Sequence, residues 1–246
     1  MTTLVVGASG ATGRLLVEQL LDQGEKVKII VRSMDSVPDS LTQNNLLTIT
    51  EASLLDMTNE ELLAQVQGCR AVASCLGHNL TFKGIFGHPR RLVSDGVRRL
   101  CDAIEKTKPA LSVKFILMNT TGNKNAQAGE TVSAAQSVVV GLIRLLLPPH
   151  ADNEIVAAYL QSNFGKKQKV IEWVAVRPDS LINEESVTEY NIHPSPIRSA
   201  IFDAGKTSRI NVAYFISQLI IKDGIWEKWK YQMPVVYNAS FPQVTP

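Results

Sequence analysis

Cysteine is scarce in this sequence. Cys69, Cys75 and Cys101 are the only three. An odd count without metal-ligand spacing argues against a disulfide framework or a zinc site, and it points to reduced thiols in a cytoplasmic protein. Long apolar runs are also missing. The longest, Val138–Leu147, is about half of what spans a bilayer, and Arg144 interrupts it. Leu4-Val5-Val6 is too short for the apolar core of a signal peptide. Charge of one sign is lacking too: 25 Lys and Arg against 23 Asp and Glu leave a net +2, which gives no reason to expect nucleic acid. No internal repeat or low-complexity stretch interrupts the chain. What is present is 246 residues, 45% of them hydrophobic, enough for a single α/β domain with a sizeable core.

The strongest positive signal lies near the start. The apolar run Leu4-Val5-Val6 leads directly into Gly7-Ala-Ser-Gly10-Ala-Thr-Gly13, and an amphipathic stripe of Leu15, Leu16, Leu20 and Leu21 follows. A buried strand, a glycine turn and a helix starting near Thr12 are thus in register. Gly7 permits a tight turn, Gly10 removes a β-carbon where backbone must approach phosphate oxygens, and Gly13 lets helix and strand pack closely. The helix N-terminus would face the pyrophosphate of a dinucleotide. Gly24 is placed to end the helix. A second strand, Val27–Val31, ends at Arg32, nineteen residues after Gly13. An acidic residue there would bind the ribose 2′-hydroxyl of NAD, whereas an arginine accommodates the 2′-phosphate of NADP. Arg32 therefore selects NADP(H), with Arg14 a candidate second cation.

Strand and helix patterns then alternate. Strands are expected at Leu46–Thr50, Ala71–Cys75, Val113–Met118 and Val170–Val176, with a late edge strand at Val235–Tyr237. Thr58-Asn-Glu-Glu61 reads as a capping box opening a helix that stops near Gly68, and another helix is expected over Arg90–Lys106. This alternation predicts a Rossmann-like, doubly wound parallel α/β sheet with helices on both faces. A helical insertion at about 126–149 and a small substrate-side appendage after about residue 183 complete the single domain. Ligands of such sheets lie beyond the carboxyl ends of the strands. That rule selects Gly7, Ser9, Gly10, Ala11, Thr12, Gly13, Arg14, Arg32, Ser53, Leu54, Leu76, Gly77 and Thr120 for the cofactor. It selects Thr121 and His78 for catalysis. Pro178-Asp179-Ser180 belongs to the same rim.

Gly7–Arg14, Val31-Arg32, Cys75-Leu-Gly77, Phe115–Gly122 and Trp173–Pro178 together resemble the atypical short-chain dehydrogenase/reductase superfamily, in particular its NmrA-like and biliverdin/flavin-reductase-like NAD(P)H-binding proteins. The resemblance covers roughly the first 183 residues. It implies a Rossmann-like fold, NADPH, and reduction of a flat conjugated acceptor. It also exposes a departure. Most of that superfamily uses Tyr-x-x-x-Lys as its proton relay, yet no tyrosine of this chain has lysine four places later. Counting from Tyr159-Leu160, Asn153 occupies the lysine place.

Thr121 could hydrogen-bond the acceptor or ribose, or simply finish its strand. His78 could meet the cofactor or donate a proton, or face water from a loop. His150, Asp152, Asn153 and Glu154 fall within one helical start, with Asp152 suited as its N-cap and a substrate-side role open to Asn153 or Glu154. Arg90, Arg91, Arg98 and Arg99 read as a solvated helix face. His88 and His193 read as surface residues, and Trp226 and Trp229 as core anchors. The apolar face within 126–149 leaves a lid, a dimer face and core packing open. The functional expectation is an NADPH-dependent reductase acting on a small acceptor such as a flavin, quinone or carbonyl. It would be cytoplasmic, with neither membrane nor nucleic acid as partner, and monomeric or homodimeric. The alternative is a non-catalytic NADP(H) sensor of the NmrA type, with a protein partner.

Overall fold

Among the described residues, ten strands and seven α-helices are set by two periodicities, alternation along the strands and apolar stripes along the helices. The computed structural model describes residues 2–78, 89–130, 139, 141, 148–165 and 170–239. In chain order these give β1 (Thr2–Val6), α1 (Ala11–Asp22), β2 (Lys26–Val31), α2 (Asp39–Thr42), β3 (Leu47–Glu51), α3 (Asn59–Val66), β4 (Cys69–Ser74), α4 (Leu92–Thr107) and β5 (Val113–Met118). There follow α5 (Pro148–Asn163), β6 (Ile171–Pro178), β7 (Ser180–Ile182), β8 (Tyr190–His193), β9 (Lys206–Ser208), α6 (Arg209–Ile221), α7 (Asp223–Trp229) and β10 (Val235–Asn238).

The main sheet has the order β3-β2-β1-β4-β5-β6-β10-β8, with β7 and β9 forming a small parallel pair. All neighbours are parallel except β10 and β8. Successive strand residues serve opposite faces. Leu4, Val6, Phe115, Leu117 and Trp173 join the core beneath α3, α4 and α5. Val5, Ile116, Val174 and Val176 join the core beneath α1, α6 and α7, with Leu16, Leu20, Phe215 and Trp226. Trp226 and Trp229 are core anchors as expected, at 2% and 5% exposure, and the Trp226 indole N–H donates to Glu172 at 2.6 Å.

The helix signals hold locally. Thr58 and Glu61 form the reciprocal capping box at the start of α3, worth about 1 kcal/mol. Three expectations change. Val235–Asn238 is not an edge strand: β10 lies between β6 and β8, and β8 takes the edge. Arg90 and Arg91 precede α4, so they do not share its face with Arg98 and Arg99. His193 is half-buried in β8 with its ring against Tyr237, while His88 lies outside the described residues. Most of the 126–149 segment also lies outside them. Within its described part, a short turn of 3₁₀-helix covers Ala126–Ala128. The chain after Asn183 supplies β9 to the small pair, and it further adds β8 and β10 to the main sheet and α6 to the α1 face. No described helix is long and apolar enough to cross a membrane.

Candidate functional site

Parallel pairing brings the carboxyl ends of β1 to β6 to one rim. At its centre, Gly7 has φ 75°, and a β-carbon there would lie 2.4 Å from the Cys75 carbonyl oxygen. A β-carbon on Gly13 would lie 2.2 Å from the Gly7 carbonyl oxygen. The turn thus closes only with hydrogen at both positions. Gly10 opens α1 without a side-chain cap, and the first turn carries no acidic residue. The helix ladder begins with Arg14 N–H donating to the Gly10 carbonyl. The N–H groups of Ala11, Thr12 and Gly13 therefore have no intrahelical partner, and the helix dipole adds partial positive charge at the same point. Ser9, Gly10 and Ala11 are exposed, while Thr12 is buried. This is a backbone cradle fitted to a phosphate group. Arg32 stands exposed at the end of β2. Arg14 is also exposed, with a long 3.8 Å pairing to Glu18.

The neighbouring wall comes from the ends of β3 and β4. Leu54 is buried, Ser53 and Leu76 are half-buried, and Gly77 is exposed. Gly96 of α4 approaches so closely that a β-carbon there would meet Leu54 Cδ2 and Leu76 Cδ1 at 3.0 Å. Arg99 is no solvated charge. Its guanidinium donates to the carbonyls of Leu54 (3.1 Å), Leu55 (2.5 Å) and Met57, bracing the turn from below. Arg98 stacks its charge over the Tyr159 ring, 5.3 Å from the centroid.

At the ends of β5 and β6 the two threonines diverge. Thr120 Oγ1 accepts from Gly122 N–H at 3.3 Å. Thr121 is buried; its N–H donates to the Pro178 carbonyl and its hydroxyl to the Asp179 carboxylate. Thr121 is thus tied to the end of β6 rather than open at the rim. Burial raises the Asp179 carboxyl above the usual aspartate range, against hydrogen bonds from Gly205 N–H, Thr121 and Ser180 N–H. Burial also raises all three thiols, Cys75 to about 12, so each stays protonated.

Of the readings open to His78, the water-facing loop histidine is not what the structure shows. Its side chain is 4% exposed, and Nε2 sits 3.0 Å from Asp152 Oδ2. Asp152 is likewise not the N-cap of its own helix, because α5 already begins at Pro148. It caps a different one: Oδ2 accepts from Val93 N–H at 2.8 Å and Oδ1 from Ser94 N–H at 3.1 Å, at the start of α4. Burial would raise this carboxyl, but hydrogen bonds from His78, Ser94 and the Val93 N–H hold it below the usual aspartate range. A depressed folded-state value stabilises the protein above the ordinary aspartate pKa, and that stabilisation is lost as pH falls through the folded value. Asp152→Ala is expected to cost about 3 kcal/mol near pH 7, the sum of a lost cap and a charged hydrogen bond. Urea unfolding should show the difference shrinking toward pH 3; a pH-independent loss would refute this role.

Two further ties leave no local trace in the sequence. The Asn153 carbonyl accepts from Asn119 Nδ2 at 3.0 Å and Asn123 Nδ2 at 3.2 Å, locking the first turn of α5 to the end of β5. Arg177, with a side chain fully buried, donates to Glu130 Oε1 at 2.6 Å and Oε2 at 2.9 Å, to Met233 O at 2.7 Å and to Asn123 O at 3.0 Å.

A family model described as NAD(P)H-binding matches residues 7–223. An uncharacterized chloroplastic protein of Arabidopsis thaliana is 30% identical over 182 residues, 73% of this chain and 59% of that protein, so the chain spans less than two thirds of this relative. Among solved structures, ChuY, an anaerobilin reductase from Escherichia coli O157:H7, superposes with a TM-score of 0.66 at 16% identity over the full length of both chains. A short-chain dehydrogenase/reductase from Veillonella parvula, in complex with NADP, gives 0.69 at 15% identity over 98% and 99% of the two chains. Glycine turn, strand order and matched span agree, and the chain belongs to the NAD(P)H-binding family.

Proposed function

We propose that this protein is an NADPH-dependent reductase of a small conjugated acceptor such as a flavin, quinone or carbonyl. The observation that carries the reading is the uncapped N-terminus of α1 behind a turn that only glycine can close. In this reading the turn Ser9–Gly13 holds the pyrophosphate through the N–H groups of Ala11, Thr12 and Gly13, and Arg32, aided by Arg14, takes the 2′-phosphate. Ser53, Leu54, Leu76 and Gly77 line the path, and Thr120 borders the nicotinamide end. When bound, a reduced nicotinamide supplies hydride. The chain's part is to orient the acceptor, exclude water and deliver a proton. The Thr120 hydroxyl is better disposed to bind the acceptor oxygen than Thr121, whose hydroxyl is engaged by Asp179. His78 is better suited to holding α5 through Asp152 than to donating a proton. The anaerobilin reductase and NADP-bound relatives support the reading by analogy of fold. Three free cysteines and near-balanced charge support the reading of a cytoplasmic protein acting on a small molecule, as a monomer or homodimer.

The departure from Tyr-x-x-x-Lys favours a second reading, an NmrA-type NADP(H) sensor with a protein partner. Titration with NADPH, NADH, NADP+ and NAD+, followed by NADPH consumption across flavins, quinones and carbonyls, separates the two. Tight NADPH binding with turnover is the expected result; binding without turnover of any acceptor selects the sensor. Arg32→Asp should weaken NADPH binding about 30-fold, near 2 kcal/mol for a lost charged hydrogen bond, and NADH binding less than about threefold. Equal losses for both cofactors would overturn the 2′-phosphate assignment.

A further inference from the structure

We propose that His150, in the first turn of α5, is the proton donor to the acceptor, with Glu154 holding its ring. The inference rests on the reductase reading and supplies the group that the missing tyrosine–lysine pair leaves unnamed.

Position is the first ground. A β-carbon built on Gly122 would meet His150 Cε1 at 3.0 Å and Thr120 Oγ1 at 3.8 Å. The imidazole therefore packs directly on the Gly122 backbone, beside the Thr120 hydroxyl, at the end of β5 on the rim that carries the glycine cradle. A residue with a β-carbon at 122 would crowd the ring from this place. The second ground is orientation. His150 Nε2 lies 3.5 Å from Glu154 Oε1 one helical turn later, with the two side chains only 13% and 19% exposed. A carboxylate at that distance is an electrostatic partner for the protonated ring. The third is rigidity. The same turn is pinned by Asp152 to α4 and His78, and by the Asn153 carbonyl to Asn119 and Asn123. A donor there is held to the precision that proton transfer requires.

The competing groups are less suited. Burial raises the phenols of Tyr159, Tyr190, Tyr231 and Tyr237, and the Tyr159 ring lies under Arg98. His78 is committed to Asp152. The chemistry balances simply. Hydride adds to the acceptor and displaces an electron pair onto its oxygen or nitrogen. That atom takes the imidazolium proton; an N–H bond of His150 breaks, an O–H or N–H bond forms, and water reprotonates the ring. The acceptor gains two electrons and NADPH loses them.

The test uses full-length wild type, His150→Gln, His150→Ala and Glu154→Gln, with an acceptor that the wild type reduces. His150→Gln should lower kcat about 100-fold or more while the NADPH dissociation constant and thermal midpoint stay near wild type. Glu154→Gln should lower kcat about tenfold by loosening the ring. Added imidazole should restore part of the kcat of His150→Ala, which a purely structural histidine would not allow. A His150→Gln kcat within about threefold of wild type would overturn the proposal and leave the reductase reading standing. Absence of wild-type turnover with every acceptor would overturn both, and is distinguished by the wild type alone.

Discussion

Gly13→Ala is expected to lower NADPH affinity at least about 100-fold and to destabilise the fold by about 1–3 kcal/mol. The new β-carbon would fall 2.2 Å from the Gly7 carbonyl oxygen and 2.9 Å from its carbonyl carbon. Both atoms belong to backbone that Gly7's own contact with Cys75 already fixes, so no side chain can yield. The strain is relieved only if α1 backs away from β1, carrying the N–H groups of Ala11 and Thr12 off their target by about an ångström, a displacement worth about a hundredfold. Gly10→Ala makes the informative contrast. Its β-carbon would stand 3.2 Å from the Gly7 oxygen, and its φ of −76° suits any residue. It should keep the thermal midpoint and still lose NADPH, because the methyl group stands where phosphate must approach. Nucleotide titration and thermal melts on both variants check this. Wild-type affinity in Gly13→Ala would mean that the cofactor is not held by this turn.

The second large effect concerns Arg177 and Glu130. Truncating Glu130 to Ala leaves a fully buried guanidinium without its carboxylate, which typically costs about 3–5 kcal/mol. For a chain of this length that corresponds to a fall of about 10 °C in melting temperature. Burial works to raise the Glu130 carboxyl, but Arg177, the Asn125 N–H and Ser195 bring it below the usual glutamate range. Its stabilisation is therefore present above the unfolded glutamate pKa and lost as pH falls through the folded value. The cost of Glu130→Ala should accordingly shrink in acid. Replacing both partners together with Met should recover much of the loss, because two charges no longer need to be held out of water. If the double variant melts as low as Glu130→Ala, the guanidinium's bonds to the Met233 and Asn123 carbonyls matter more than the ion pair.

What the sequence made legible is local. The β1–turn–α1 unit, the Thr58–Glu61 capping box and the strand Val113–Met118 follow from spacing within a dozen residues, where periodicity and turn chemistry operate. What it concealed is polar and long-range. Asp152 looks like the cap of the helix it sits in, because sequence displays only neighbours; its actual partners, Val93 and Ser94, are 59 and 58 residues away. Arg177 pairs with Glu130 across 47 residues, and Arg99 reaches carbonyls more than 40 residues earlier. Such contacts leave no periodic trace. The glycine turn and the strand-end place of Arg32 could be read from the chain alone, whereas the surroundings of Thr121, His78 and His150 depend on which way each strand end and helix turn faces.

The place of β10 bears on how the protein is made. As the chain leaves the ribosome, β6 is complete at Pro178, yet the segment that pairs with its outer side begins only at Tyr231. For some fifty residues of synthesis the apolar run Trp173-Val-Ala-Val176 presents an open hydrogen-bonding edge, the kind of surface that recruits other nascent chains. Closure waits on Tyr231–Pro234, which bond Trp173, Ala175 and Arg177, and on Val235 and Val236, which pair with the end of β6 while β10 takes the antiparallel β8. The sheet is thus closed at an interior position by residues made long after β6, so ribosomal stalling shortly before Tyr231 would release the species most prone to aggregate.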